Sequence, residues 1–338
     1  MNTTVLVVGP AGHGVTGTAI AQETALRAIA PGPVHLLRRT GIPDVADVLA
    51  AVRAAPPGPV LVHVTDRLFG TTPEDAADVV VALGQERPLV VTLHDLPQAS
   101  DGPRNAPRRV TAYRRIAQAA AAVVVSSAHE QRLLAACGAD VPSSVVPLPV
   151  PELRAAPAAD PSAPLRGVAV LGYLYPGKGH EDVVAGLDVL PAGVGLTAWG
   201  RPSDGHEDLV AALTEQARAL GRPCIVTGFV PEAELPGLLR SAVLPVAPHA
   251  HLSASGSINA WIGAGRRPLV PRSDYAAELD ERSPGCVRVY ADLPTALAEA
   301  WEDPPSTWLP AGFPTGPTAA ATAALLLPVL ARAGGHAP

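Results

Sequence analysis

Short runs of Val, Leu and Ile alternate along this chain with Ala-rich stretches of helical length. In the first half the apolar runs Val5–Val8, Val34–Leu37, Val60–Val64, Leu89–Leu93, Val123–Ser126 and Ser144–Leu148 read as strands. Gly17–Ala28, Pro43–Ala54 and Pro73–Leu83 read as helices between them. Strands apolar at every position, separated by helix-length segments, predict a parallel sheet covered on both faces. The same grammar resumes later, with strands predicted at Val168–Leu171, Gly195–Ala198, Cys224–Val226, Leu244–Ala247, Pro268–Pro271 and Val287–Tyr290. Helices fit Glu181–Leu190, Glu207–Leu220, Glu232–Arg240, Ser257–Ala264 and Pro294–Trp301. The prediction is an α/β chain of two doubly wound, Rossmann-like domains, residues 1–150 and 166–304, joined by a Pro-rich linker over 151–165. A tail over 305–338 ends in an apolar helix from about Thr318 to Ala331, expected to pack back on the first domain. Ligands in such folds bind at the carboxyl ends of strands, so a cleft between the domains is expected to hold the site.

Composition narrows the class. With 48% hydrophobic and 17% charged residues the chain builds a core, and with only 4% aromatics that core is aliphatic. The net charge of −6 argues against a nucleic-acid binder. Cys137, Cys224 and Cys286 lack metal or redox spacing and read as small buried residues in a reducing compartment. MNTTVLVVGP enters a strand at once, and the late apolar segment is short and contains Pro328, so a cytoplasmic protein is expected.

One basic residue differs from the other 24. Among 25 Lys and Arg side chains only Lys178 is a lysine, in Val168–Gly179, VAVLGYLYPGKG. A strand, a glycine-rich turn and a helix start leave backbone N–H groups for an anion, and lysine supplies a compact charge. Gly177-Lys178-Gly179 therefore reads as a phosphate cradle, the alternative being a surface lysine at a turn. A second anion nest is Ser255-Gly256-Ser257 ahead of a helix. His249 and His251 precede it; a metal reading of this pair lacks a neighbouring carboxylate or cysteine.

In the first half, Gly12-His13-Gly14-Val15-Thr16-Gly17 matches GxGxxG, but it starts late after Gly9-Pro10-Ala11 and the next strand ends in Arg38-Arg39. Arg38 keeps an NADP-dependent oxidoreductase open as an alternative; the preferred reading is a loop that brings backbone close to a ligand. His94 ends the fourth strand, followed by Asp95, and Asp66-Arg67 ends the third. His94 reads as catalytic or as a satisfied structural histidine. Arg104, Arg108, Arg109, Arg114 and Arg115 crowd one segment behind Asn105, a predicted helix cap. They read as a solvated basic face, or as an anchor for an acidic acceptor or an anionic membrane.

These segments together resemble the retaining glycosyltransferases of family 4, which have the GT-B fold. Leu93-His94-Asp95 is similar to the family's histidine segment, and Val124–Leu134 to the helix that follows it. Gly172–Gly179 resembles the donor loop ending in Lys-Gly, Gly228–Pro231 with Glu232–Leu239 the segment around the base, and Ala264–Val270 the loop closing the donor site. The resemblance implies transfer of a sugar from a nucleotide diphosphate sugar, with retention, to a glycan, lipid-linked or small-molecule acceptor. It needs no cofactor and no metal. It implies catalytic roles for His94 and Lys178. Donor contacts would come from Gly14, Gly172, Tyr173, Lys178, Gly200 and Arg201, and from Val230, His249, His251 and the Ser255-Gly256-Ser257 nest. Acceptor contacts would come from His13, Asp66, Arg67 and Asp95. Tyr173 stands where the family commonly has arginine. The two family glutamates fall near His251 or Leu252 and near Asn259 or Ala260, where this chain has no acid. A divergent donor site follows, with a non-catalytic relative as the other reading.

Overall fold

The computed structural model describes residues 2–153 and 167–335; most of the predicted linker, from residue 154 on, lies outside them. The chain divides into two units, Met1–Pro149 with Pro317–Pro338, and Val150–Gly316.

The first unit runs β1 (Thr3–Val8), α1 (Gly14–Ile29), β2 (Val34–Arg39), α2 (Val45–Ala54), β3 (Val60–Val64), α3 (Asp66–Phe69), α4 (Pro73–Glu86), β4 (Leu89–Leu93), α5 (Gly102–Ala119), β5 (Ala122–Val125), α6 (Ala128–Ala136) and β6 (Ser143–Val145). Its six strands are parallel in the order β2-β1-β3-β4-β5-β6. Both faces are covered, which is why the strands carry no polar alternation. Leu6 and Val8 of β1 join a layer with Val52, Val80 and Ile116, from α2, α4 and α5. Val5 and Val7, pointing the other way, pack with Leu26 of α1 and with Leu326 and Leu330 of the last helix.

The second unit runs β7 (Gly167–Leu171), α7 (His180–Ala185), β8 (Gly195–Trp199), α8 (Asp208–Ala219), β9 (Cys224–Val226), α9 (Leu235–Ser241), β10 (Leu244–Val246), α10 (Gly256–Gly263), β11 (Leu269–Pro271), α11 (Asp274–Arg282), β12 (Arg288–Tyr290) and α12 (Leu293–Glu302). Its parallel order is β12-β11-β10-β7-β8-β9. The last helix, α13 (Ala319–Ala333), packs on α1 and continues through Pro328.

In each sheet the strand order reverses once, between β1 and β3 and between β7 and β10. The carboxyl ends of the strands at such a reversal are where folds of this kind hold ligands.

Three expectations change. Asn105 is not a cap: Gly102-Pro103 already starts α5, because proline's fixed φ suits the first helical turn. The helix predicted over Glu181–Leu190 is α7 followed by a 3₁₀ turn over Gly186–Val189. The basic face of α5 is not free: Arg108 forks onto Glu74 and Arg115 pairs with Asp78, both on α4. Arg108 and Arg115 are thus paired within the unit, while Arg104 stays exposed.

Candidate functional site

In the second unit the loops after β7 and β10, the strands at the order reversal, meet around Lys178. Gly179 takes φ +85°, and a Cβ there would lie 2.4 Å from Pro248 O, so only glycine lets the two loops close up. Ala250 N then donates to Gly177 O at 3.0 Å. Lys178 is 4% exposed, with Nζ against His249 Nε2 and facing the Tyr175 ring at 5.8 Å. Gly172 takes φ +113°, and a Cβ there would stand 3.1 Å from Lys178 Nζ. Among the described residues no carboxylate pairs with this ammonium. Burial lowers its pKa to about 7. Burial and Lys178 together push His180 down to about 3 and His249 well below its ordinary range. The cluster is thus a buried amine that titrates near neutrality beside two imidazoles kept neutral by burial, and among the described residues no carboxylate balances its charge.

Around this cluster, Ser255 caps α10, its Oγ accepting from Ile258 N at 3.3 Å and lying 3.0 Å from Ser257 Oγ. Gly256 opens the helix and is exposed. Tyr173 lies under the guanidinium of Arg201 at 5.1 Å, and Arg201 pairs with Asp204. Gly200 follows β8 so tightly that a Cβ would sit 2.0 Å from Gly172 O. His251 is exposed, its ring edge 3.8 Å from where a Gly177 Cβ would be. Val230 packs on the cluster of Trp199 and Trp261, two fully buried rings tilted at 38° with centroids 5.6 Å apart, which serve the core. Among the described residues no three His, Cys, Asp or Glu side chains gather into a group that could hold a metal. Arg266, in the stretch similar to the donor-closing loop, is buried over Trp308 and donates to Leu239 O, Ala242 O, Val243 O and Thr307 O. A fifth bond to Thr307 Oγ1 completes its set, so it ties the end of α9 and the turn into β10 to Thr307 and has no hydrogen left for a ligand phosphate.

In the first unit the carboxyl ends of β1, β3 and β4 bring His13, Asp66 and His94 to one end of the sheet. His13 caps α1 by accepting from Val15 N at 3.3 Å, and Gly14 is the first helical residue, with open space where a Cβ would be. His94 is 6% exposed and stacks on His63 with ring centroids 5.2 Å apart, its Nε2 3.0 Å from His63 Nδ1. Burial lowers the His94 pKa to about 4, with Asp95 opposing and His13 adding to the shift. Among the described residues Asp95 is the one non-glycine at positive φ, +50°. Helix α5 holds that turn: Tyr113 Oη donates to His94 O at 2.9 Å, and Arg109 donates to Asp95 O. Arg109 also pairs with Asp66 at 3.1 Å and with Asp101 at 2.6 Å. Asp66 is therefore engaged in bracing the turn, whereas Arg67 and Asp95 are exposed. Arg38 donates to Gly9 O at 3.4 Å, folded back onto the loop that a 2′-phosphate reading would have it leave.

His63, Tyr113, Arg109 as a brace, and His180 are the residues that sequence reasoning missed. His63 carried a signal, a histidine inside the otherwise apolar strand VLVHV. His180 stands two residues after Lys178, whereas Tyr113 and Arg109 become visible only once α5 is placed against the ends of β3 and β4.

No family model matches the chain, and no curated protein does. Solved structures do. HepE of Anabaena, in complex with UDP and glucose, superposes with a TM-score of 0.70 at 17% identity, over 99% of this chain and 95% of that one. Sucrose-phosphate synthase of Thermosynechococcus elongatus gives 0.70 at 15% identity over 99% and 95%. AviGT4, a glycosyltransferase involved in avilamycin A biosynthesis, gives 0.62 at 13% identity over 100% and 99%. Two parallel six-stranded sheets with flanking helices, aligned over this length, give the chain the GT-B fold.

Proposed function

We propose that this chain is a nucleotide-sugar glycosyltransferase whose second unit holds the donor diphosphate through Lys178. The observation that carries the reading is a buried amine, placed where the strand order reverses, with no carboxylate among the described residues to neutralise its charged form. A buried charge without a partner is costly, and an anionic ligand removes the cost. The fold-mates support a sugar nucleotide as that ligand, since HepE was crystallised with UDP and glucose. Lys178 and the α10 N-terminus, with the Ser255-Gly256-Ser257 turn, take the diphosphate; Gly172 and Gly200 keep backbone close beside it.

Departure of the diphosphate develops negative charge, and preorganised donors aimed at that charge are usually the largest catalytic contribution. A helix N-terminus supplies roughly 0.3–1 kcal/mol, up to about 2 when partly buried. Losing one partner of a buried charge pair costs about 2–5 kcal/mol. Lys178 therefore outweighs the serine turn. The family glutamates are replaced by side chains that make their contacts through hydroxyl, amide or imidazole groups, a donor site of different recognition chemistry. We assign retention of configuration and kinship with family 4 on the ordered segments from His94 to Val270, and acceptor binding to the first unit, where His94 serves the transfer.

A panel of UDP, GDP and ADP sugars, followed by release of the nucleoside diphosphate and by mass spectrometry of products, tests this reading. Turnover with one donor class is expected, reduced at least about thirtyfold by Lys178→Ala at roughly 1.4 kcal/mol per decade. Binding of NADP in preference to every nucleotide sugar would replace it with the oxidoreductase reading.

A further inference from the structure

We infer that His63 is a positioning residue: its Nδ1–H donates to Nε2 of His94 and holds His94 as the Nδ1-protonated tautomer, a hydrogen-bond donor to a substrate oxygen. The two nitrogens are 3.0 Å apart and the rings are nearly parallel, at 20°. One hydrogen must lie between them, so two neutral arrangements exist. In one, His63 donates, and its Nε2 is left as a bare lone pair. In the other, His94 donates, and His63 Nε2 carries a hydrogen.

The surroundings of His63 Nε2 decide between them. Along β3, Leu61 and His63 point to the face opposite Val60, Val62 and Val64. That face carries the apolar layer of Val5, Val90, Val124 and Leu326. His63 Nε2 is buried there with no protein partner. Its neighbour in register, Thr92, likewise has a buried hydroxyl that finds no protein partner, so it does not take a hydrogen from His63. Orphaned N–H groups are rarer in folded proteins than under-satisfied acceptors. The first arrangement leaves the cheaper orphan.

The remaining nitrogen of the pair, His94 Nδ1, then bears the hydrogen and is not among the sealed, unpartnered atoms. The charged and titratable groups around His94 are His13, Asp95 and, through its own carbonyl, Tyr113. Burial favours the neutral form of both rings, as the pairing requires. With Nε2 occupied by His63 and Nδ1 already protonated, neutral His94 has no free lone pair. It can donate to a hydroxyl or carboxylate oxygen and cannot accept the proton of an attacking alcohol. The use of that donor in sugar transfer rests on the function proposed above; the tautomer itself does not.

Long-range ¹H–¹⁵N correlation spectra of the full, ¹⁵N-labelled chain read the tautomer directly, with His94→Gln identifying the His94 signals. The expected spectrum shows His94 protonated at Nδ1 and bare at Nε2. His63→Phe keeps a ring in the slot and removes the donor; His94 is then expected to shift to, or mix with, the Nε2-protonated form. Where transfer is measurable, kcat falls in His63→Phe while the donor KM stays within twofold. A wild-type His94 protonated at Nε2, or a His94 signal unmoved in folded His63→Phe, overturns the assignment. Should His63→Phe not fold, the wild-type spectrum alone decides. A correct tautomer in a protein that transfers no sugar would sink the transferase reading and leave this one standing.

Discussion

Lys178 is the residue whose titration has the clearest consequence. Its pKa, lowered to about 7 by burial, means that the ammonium needed by an anion is lost just above neutrality. Donor affinity is expected to be flat below about pH 7 and to fall roughly tenfold per pH unit above it. Stability moves the other way. The unfolded lysine titrates near 10.4, so between about pH 7 and 10.4 the unfolded state binds the extra proton, and the ligand-free fold gains stability as pH rises. Urea midpoints measured across that window, compared with Lys178→Met, check the sign: the variant loses the slope. Arg109 makes a second prediction at this scale. Its guanidinium is 13% exposed and holds Asp66, itself 9% exposed, while gripping the Asp95 carbonyl. Arg109→Met leaves a buried carboxylate unpaired and is expected to cost about 3–5 kcal/mol in denaturant titration.

At the scale of elements, the glycine-rich loop after β7 is shaped by what passes beside it. Gly200 leaves β8 so close to Gly172 O that a methyl group would overlap it at 2.0 Å. Gly200→Ala is expected to displace the 172–179 loop and weaken nucleotide binding at least about tenfold, at roughly 1.4 kcal/mol per decade; calorimetry reads it, and unchanged affinity would remove this loop from the site. Helix α5 shows where spacing along one element misleads. Arg108 and Arg115 do share a face, as helical periodicity says, but the carboxylates that meet them come from α4, 34 and 37 residues earlier in the chain. Pairs this exposed contribute about 0–1 kcal/mol. Arg108→Ala and Arg115→Ala are expected to leave stability nearly unchanged and to make no difference to sedimentation with anionic vesicles.

At the scale of the whole molecule, the central strands were legible because both faces of the sheet are buried there, and the edge strand Cys224–Val226 because it keeps an apolar run. Val60–Val64, Leu89–Leu93 and Cys224–Val226 stand where their apolar runs put them. Helix limits were less so: α7 stops at Ala185 because Gly186 follows, and α11 carries too little apolar character to stand out. The site was half legible. Lys178 and His94 announced themselves by rarity and by position at strand ends. His180 stands two residues after Lys178, but His249 and His63 reach Lys178 and His94 across strand neighbours that only the sheet order brings together. The return of α13 onto α1 likewise covers Val5, Val7 and Leu26 from the far end of the sequence.

Calorimetric titration of whichever nucleotide sugar the UDP, GDP and ADP panel selects, into the wild-type chain and into Lys178→Met at pH 6.5, decides whether Lys178 holds the donor. Binding to the wild type and a loss of at least about thirtyfold in the variant are expected, the lower end of the roughly 2–5 kcal/mol that a buried charge partner contributes. Equal affinities in the two proteins, with both folded, would contradict it.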